Sequence, residues 1–222
     1  MTGATVYDPK QQIVGAWCSQ FNSQALSVIE NDQSIQIVIL SGFWEMYLSA
    51  RAVGLTADSA HEHTMPAPDA SRQLLERSLR ATIQSLRAAG KQVIVFEDVP
   101  DFAFDPVSRV RTASIPARHA LEAMLGAVDA TDPGFASPDM ISETAMANSA
   151  IEQAAAGLQG VTIYDLRPEF CSSALHCVYR DGERLLYFDK NHVTPDGSRY
   201  ALRDFRLPAL ARESKEQVPG AL

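Results

Sequence analysis

A carboxylate and an imidazole stand three residues apart near the end of the 222-residue chain, in the segment YFDKNHVTPDG. Asp189 could hold His192 in one tautomer and stabilise its charged form, so that the histidine acts as a general base. The spacing alone is common, and a loop-capping aspartate beside a surface histidine is the alternative interpretation. The position favours a site, because ligand sites cluster at strand ends in alternating strand–helix chains.

The elements that must position this pair are predicted from apolar runs and helical periodicity. Short β-branched runs, typical of strands buried on both faces of a parallel sheet, lie at 35–40, 93–96 and 161–164. Helices are predicted over 71–89, with Ser71 as the N-cap, over 137–157 and over 197–205. Strands that alternate with helices indicate an α/β fold, and residues 98–116 are expected to be a long connection within it.

Composition limits the classes of function. Lys plus Arg is 19 and Asp plus Glu is 27, which gives a net charge of −8 and disfavours nucleic-acid binding, since that needs a basic face. No uncharged apolar run reaches the roughly 18 residues of a membrane span. The first residues show no signal-peptide pattern. We expect one domain over residues 1–211 and a polar tail over 212–222.

Four segments occur in an order that resembles the SGNH (GDSL-like) hydrolase domain. The resemblance is to the version fused C-terminally to membrane acyltransferases that O-acylate bacterial cell-surface polysaccharides. It covers about residues 17–204, and the order of the segments is more specific than any one motif. The segments are IQIVILSGFWEMY, KQVIVFEDVPDFAFDP, VTIYDLRPEFC and CSSALHCVYRDGERLLYFDKNHVTPDGSRYA.

This resemblance implies a fold, a reaction and partners. The fold is a flavodoxin-like three-layer sandwich with a mostly parallel sheet. Asp189 would orient His192, which would deprotonate a serine that carries an acyl group, usually acetyl. The acceptor would be a carbohydrate hydroxyl, and a membrane acyltransferase domain would deliver the acyl donor. The resemblance implies no metal and no organic cofactor. It places the domain on the periplasmic side of the bacterial inner membrane, within a membrane-anchored parent protein.

The sequence departs from the family at the nucleophile. No Gly-Asp-Ser block occurs in the 222 residues. We expect the strand that carries this block to be missing from the sheet, so the chain is either a fragment of a longer product or lacks its serine. A non-catalytic carbohydrate-binding module is therefore the alternative function. A missing interior strand would lower stability or favour a homodimer, unless residues 5–17 supply a substitute strand.

Other serines are weaker candidates for the nucleophile. Ser59, in ADSAHEH, lacks a preceding strand and is interpreted as a loop serine. Ser41, at the predicted end of the first strand, is interpreted as a packed strand-end residue. Ser198 is expected to cap the last helix or to face solvent.

A second departure falls on the oxyanion side of the site. Family members carry Gly-x-Asn-Asp where this chain has Gly42, Phe43, Trp44 and Glu45. The resemblance makes Gly42 and Trp44 the candidates for the oxyanion side. The indole N–H could replace the amide of the missing asparagine as a donor. A core or rim aromatic is the equal alternative for Trp44.

Three cysteines allow at most one internal pair. Cys171 and Cys177 bracket five residues, which is a feasible disulfide loop in an oxidising compartment. Two reduced thiols in a reducing compartment are the alternative, and the spacing does not decide between them. The family resemblance implies the disulfide, which would stiffen the loop that carries the base.

Overall fold

The structure is a computed structural model that describes residues 4–8, 13–14, 16–48, 54–57, 67–125, 134–136, 142–173 and 176–208. The helices are α1 (Ala16–Asn31), α2 (Pro68–Ala88), α3 (Pro106–Ala113), α4 (Pro116–Met124), α5 (Ser142–Ala155), α6 (Arg167–Phe170) and α7 (Pro195–Ala201). The strands are β1 (Ala4–Asp8), β2 (Ile13–Val14), β3 (Ile37–Leu40), β4 (Gly54–Ala57), β5 (Gln92–Phe96), β6 (Phe135–Ala136), β7 (Val161–Tyr164), β8 (Cys171–Ser173), β9 (His176–Val178), β10 (Arg180–Asp181) and β11 (Arg184–Leu185). A 3-10 helix spans Glu45–Tyr47. No helix in these ranges has both the length and the apolar character that crossing a membrane requires.

The three predicted strands form a parallel sheet in the order β3-β5-β7. Ile94 pairs with Ile39 on one side and with Thr162 on the other. The central strand is the most apolar and the most buried of the three, as a strand covered on both faces must be. The predicted α/β fold with a parallel sheet is therefore confirmed.

The side chains of β5 alternate between two cores. Val93 and Val95 belong to an aliphatic cluster beneath α2 and α5. Ile94 and Phe96 belong to a cluster rich in aromatic rings on the opposite face. This alternation follows from the two-residue period of a strand and places the sheet between two different layers.

The aliphatic layer follows from helical periodicity. Leu75, Leu79, Ile83 and Leu86 of α2 are spaced three or four residues apart and are fully buried. Small residues of α5, such as Ala150 and Ala154, let that helix approach α2 closely, and both are also fully buried.

The predicted boundaries of two helices were wrong. Ser71 does not cap α2, which begins at Pro68 after Ala67, because a proline fits the first turn. Ser71 is buried, and its hydroxyl accepts a hydrogen bond from the Leu55 N–H at 3.3 Å. The last helix begins at Pro195 rather than at 197, with the Thr194 hydroxyl as its cap, and ends at 201 rather than at 205.

The N-terminal strands do not extend the parallel sheet. β1 pairs antiparallel with β2 and with β4 in a separate three-stranded sheet. Within the described ranges, β3 has β5 as its one strand partner, and the Ile39 residue is 43% exposed. Of residues 5–17, the described β1 and β2 segments supply no substitute strand beside β3.

Candidate active site

The carboxyl ends of the three parallel strands open onto a cavity of about 410 Å³. This is the edge of the sheet where α/β proteins bind their ligands. The lining comes from the loops after β3, β5 and β7, from the loop before α7 and from α7 itself. The lining residues are Ser41, Gly42, Phe43, Phe96, Glu97, Asp98, Val99, Asp101, Leu166, Asn191, His192, Val193, Ser198, Ala201 and Leu202.

Asp189 and His192 are in direct contact. His192 Nδ1 lies 2.9 Å from Asp189 Oδ2 and 3.1 Å from Oδ1. A carboxylate only accepts hydrogen bonds, so Nδ1 is the donor in this contact, and in the neutral imidazole the lone pair lies on Nε2, where it can act as a base. The pair sits at the surface, since the His192 side chain is 65% exposed and the Asp189 side chain 45% exposed.

The loop that carries this pair is held by its own backbone. Asp189 Oδ1 accepts hydrogen bonds from the Asn191 N–H at 3.0 Å and from the His192 N–H at 2.8 Å. The Phe188 N–H donates to the His192 carbonyl at 2.7 Å. Desolvation raises the pKa of Asp189, but these two N–H groups and the imidazole outweigh it and lower the pKa overall. Asp189 is therefore an ionised carboxylate that is hydrogen-bonded both to the backbone of the turn and to the imidazole.

Two of the serines considered as nucleophile candidates line the cavity, namely Ser41 and Ser198. Ser41 is exposed and lies directly after β3, on the wall beside Gly42. Ser198 lies on α7, where its hydroxyl donates to the Thr194 carbonyl at 3.1 Å, so it is tied to the helix start. Ser59 lies outside the described residues. Phe43 also reaches His192, with the two ring centroids 6.0 Å apart.

Gly42 and Trp44 have different surroundings. Gly42 lines the cavity, whereas Trp44 does not and is 5% exposed. The Trp44 indole N–H donates to the Phe96 carbonyl at 2.8 Å. The indole N–H is thus already hydrogen-bonded to the sheet. This contact favours the interpretation of Trp44 as a core aromatic residue.

A disulfide joins Cys171 and Cys177 in the structure. It links β8 to β9, which form the small antiparallel sheet with β6. Cys177 is fully buried in the aromatic cluster, where Tyr187, at the start of the base-bearing segment, is also buried. The bridge therefore stiffens the layer against which that segment packs.

Sequence reasoning missed a group of buried carboxyl groups at the cavity, two of which line it. Glu45, Asp98 and Asp101 are between 3% and 6% exposed. Both oxygens of Asp98 accept backbone hydrogen bonds at 2.9 Å, from Trp44 and from Glu45. The signal was present, because the acidic run EDVPD directly follows the most buried strand of the sheet.

Burial changes the protonation of these carboxyl groups. Desolvation raises the pKa of Asp98 to about 7, although the two N–H donors oppose it. Desolvation and the neighbouring Glu45 raise the pKa of Asp101 to about 8. Desolvation and the charge of Asp165 raise the pKa of Glu97, also on the cavity wall, to about 7. In the described part of the chain no three acidic, histidine or cysteine side chains form a group that could hold a metal ion.

The family model "SGNH domain (fused to AT3 domains)" matches residues 3–206. The chain therefore belongs to this family of SGNH domains, as its four ordered segments predicted.

A solved structure has the same fold at low sequence identity. It is the structure of the Salmonella ser. Paratyphi A lipopolysaccharide acetyltransferase periplasmic domain, with a TM-score of 0.54 and 17% identity. The match covers 83% of this chain and 60% of that one, so the chain spans less than two thirds of the neighbour. No curated protein matches the sequence.

Proposed function

We propose that this domain transfers an acyl group, expected to be acetyl, to or from hydroxyl groups of a bacterial cell-surface polysaccharide. The observation that carries the proposal is the Asp189–His192 pair on a cavity at the carboxyl edge of the sheet, in a chain of the SGNH family. A base with a free Nε2 beside a cavity suits the activation of a hydroxyl group.

His192 would act first as a general base and then as a general acid. Its Nε2 takes the proton from a hydroxyl as that oxygen attacks the acyl carbonyl carbon. The tetrahedral intermediate then collapses, the bond from the carbonyl carbon to the leaving oxygen breaks, and the leaving oxygen takes the proton from His192. Asp189 stabilises the imidazolium between these two steps.

The oxyanion of that intermediate needs donors on the cavity wall. The indole of Trp44 already donates to the sheet, so we assign this role to the backbone N–H of Gly42. The position supports the assignment, because Gly42 follows β3 and faces the same cavity as His192.

The attacking hydroxyl has two possible sources. One is a serine of a Gly-Asp-Ser block, which these 222 residues do not contain. The other is Ser41, which is exposed on the cavity wall. Loss of ester cleavage by the purified Ser41→Ala chain would assign the nucleophile to Ser41, and unchanged cleavage would exclude it.

The partners follow from the family. We propose that an AT3 domain in the membrane supplies the acyl donor, and that the acceptor is a carbohydrate on the periplasmic side of the inner membrane. No cofactor is required by the proton transfers described above.

The test compares two histidine variants of the purified chain with a chromogenic acetyl ester. His192→Ala should abolish turnover, since it removes the base. His176→Ala is the matched control, because that imidazole stacks on Phe135 with centroids 3.8 Å apart and does not line the cavity. Equal turnover in wild type and His192→Ala would contradict the assignment. In cells, the same variant should lower the acyl content of the surface polysaccharide.

A non-catalytic carbohydrate-binding module is the second candidate function. The observation that favours it is the absence of a Gly-Asp-Ser block from the sequence. It predicts no ester turnover by wild type, together with oligosaccharide binding that survives His192→Ala.

A further inference from the structure

The Asp98 side chain binds the backbone of the segment that follows β3. Its Oδ1 accepts a hydrogen bond from the Trp44 N–H and its Oδ2 accepts one from the Glu45 N–H, both at 2.9 Å. Asp98 follows β5, so these bonds join the ends of two neighbouring parallel strands. All three residues are between 3% and 5% exposed. Loss of the carboxylate would therefore leave two buried N–H groups without an acceptor.

The Trp44 side chain is held by a further hydrogen bond. Its indole N–H donates to the carbonyl of Phe96, the last residue of β5, at 2.8 Å. Asp98 lies two residues further along the chain, so the same stretch of backbone holds both the main chain and the side chain of Trp44. The ring cannot move relative to the sheet unless one of these two hydrogen bonds breaks.

Gly42 lies against the Trp44 ring. A Cβ added at Gly42 would lie 3.7 Å from Trp44 Cδ2 and 3.7 Å from Cε2, the two carbons shared by the rings of the indole. That distance is ordinary van der Waals contact, so the indole limits where the Gly42 backbone can lie. Gly42 also lines the cavity, on the wall that faces His192. A chain of contacts thus runs from Asp98 through Trp44 to the cavity wall.

We propose that Asp98 is a positioning residue, which holds Trp44 in place and thereby sets the direction of the Gly42 N–H on the cavity wall. This inference rests on the proposed function, because it takes that N–H as the donor to the oxyanion. It also gives Trp44 a role at the position where the family resemblance expects an asparagine. Trp44 supports the donor and does not act as the donor itself.

The far end of the segment is held independently of Asp98. The Thr144 hydroxyl of α5 donates to Glu45 Oε2, and both residues are buried. The 3-10 helix that begins at Glu45 adds its own backbone hydrogen bonds. Replacement of Asp98 should therefore leave the 3-10 helix in place. The expected displacement is confined to the residues before it, from Gly42 to Trp44.

The test measures N–H residual dipolar couplings of the purified chain by NMR, since each coupling reports the direction of one N–H bond relative to the rest of the domain. Asp98→Leu has a similar size and no acceptor, whereas Asp98→Asn keeps one acceptor oxygen. Asp105→Leu is the matched control. Asp105 lies in the same loop and accepts the Ser108 N–H at 2.8 Å as the cap of α3, so this variant loses a comparable hydrogen bond at a different place.

Asp98→Leu should shift the couplings of the Gly42 and Trp44 N–H groups beyond experimental error, while the couplings of β5 stay within it. Asp98→Asn should shift the same two couplings by a smaller amount, and Asp105→Leu should leave them unchanged. An unchanged Gly42 coupling in a folded Asp98→Leu chain would overturn the proposal. So would an equal shift in Asp105→Leu, because the coupling would then respond to lost stability alone. If Asp98→Leu does not fold, a wild-type Gly42 coupling in Asp98→Asn would overturn it instead.

Turnover of the chromogenic acetyl ester gives a second readout. Asp98→Leu should lower kcat by about tenfold and change KM by less than about twofold, since an oxyanion donor acts mainly in the transition state. The couplings do not require turnover. Shifted couplings with an inactive wild type, or with an unchanged kcat, would reject the acyl-transfer function or the oxyanion role of Gly42 and keep the positioning role. An active wild type whose Gly42 coupling does not respond to Asp98→Leu would do the reverse.

Discussion

The two faces of the parallel sheet are built by different means. The face beneath α2 and α5 is covered by aliphatic side chains at helical spacing. The other face is covered by aromatic rings, most of them from loops and short strands, such as Phe102, Tyr179 and Tyr187, whose rings meet edge to face. The buried carboxyl groups and the Asp189–His192 pair lie where these loops meet the carboxyl ends of the strands.

The aliphatic face mainly stabilises the fold, whereas the aromatic face carries the groups of the candidate site. The aliphatic face gains its stability from burial alone, which is strong and does not depend on pH. The aromatic face also holds a disulfide and ionisable groups at a cost in desolvation. Each of the following experiments changes one face and measures the effect on the free energy of unfolding.

The largest effect is expected from the aliphatic face. Leu79→Ala should lower the free energy of unfolding by about 2–5 kcal/mol, because Leu79 is fully buried and its removal leaves a cavity. Urea unfolding followed by circular dichroism measures the change. Leu121→Ala, at a residue that is 56% exposed, is the control and should cost no more than about 0.5 kcal/mol. Equal costs for the two variants would mean that this face is not the main stabilising core.

The disulfide should have the next largest effect. The double variant Cys171→Ala/Cys177→Ala should lose about 2 kcal/mol, since the bridge closes a short loop and restricts the unfolded chain only modestly. Cys18→Ala keeps the bridge and is the control. Reduction by dithiothreitol gives a further check. It should lower the free energy of unfolding of wild type and the control but leave that of the double variant unchanged.

The third prediction concerns pH. Asp98, Asp101 and Glu97 have raised pKa values, of about 7, 8 and 7, so each binds its proton more tightly in the folded chain than in the unfolded one. Their stabilisation is complete below the ordinary carboxyl range and is lost as pH rises through 7 and 8. Because solvent screens part of each shift, we expect a fall of about 1.4 kcal/mol between pH 5 and pH 8.5, equivalent to one pKa unit.

The pH prediction is checked by urea unfolding at several pH values. Asp101→Asn should flatten the decline, because an amide does not titrate in this range. A stability that rises between pH 5 and pH 8.5 would show that these carboxyl groups are not held in their protonated form.

The smallest effect is expected at Tyr187. Its ring is fully buried, and its hydroxyl has no hydrogen-bond partner among the described residues. Tyr187→Phe should therefore change the free energy of unfolding by less than about 1 kcal/mol, and in the stabilising direction. Tyr187→Leu is the contrast, since it also removes the ring contacts with Phe102 and Phe170 and should destabilise the chain. A destabilised Tyr187→Phe would reveal a partner for the hydroxyl.

The aliphatic face could be predicted from the sequence, and the aromatic face could not. The strands around β5 and the buried stripe of α2 follow from local periodicity, which depends on neighbours three or four residues away. The hydrogen bond from the Glu45 N–H to Asp98 depends on how separate loops meet, and no periodicity encodes that. The connection expected over 98–116 in fact contains α3, whose signal was the Asp105 cap followed by Pro106.

The candidate site was predicted only in part, because local contacts are visible in the sequence and contacts between distant segments are not. The Asp189–His192 contact spans three residues, so its spacing is visible in the sequence. The surroundings of Trp44 could not be predicted, because the Phe96 carbonyl that accepts its N–H lies on β5, far away in the sequence.

The double use of Asp189 has a consequence for the order of folding. Its carboxylate accepts the backbone N–H groups of Asn191 and His192 and also contacts the imidazole. All of these contacts are local in the chain, so loop closure for them is fast and carries little entropic cost. The acid–imidazole turn can therefore form early, as a unit of low contact order, and the distant hydrogen bond from the Phe102 N–H to the Lys190 carbonyl then docks a turn that is already made.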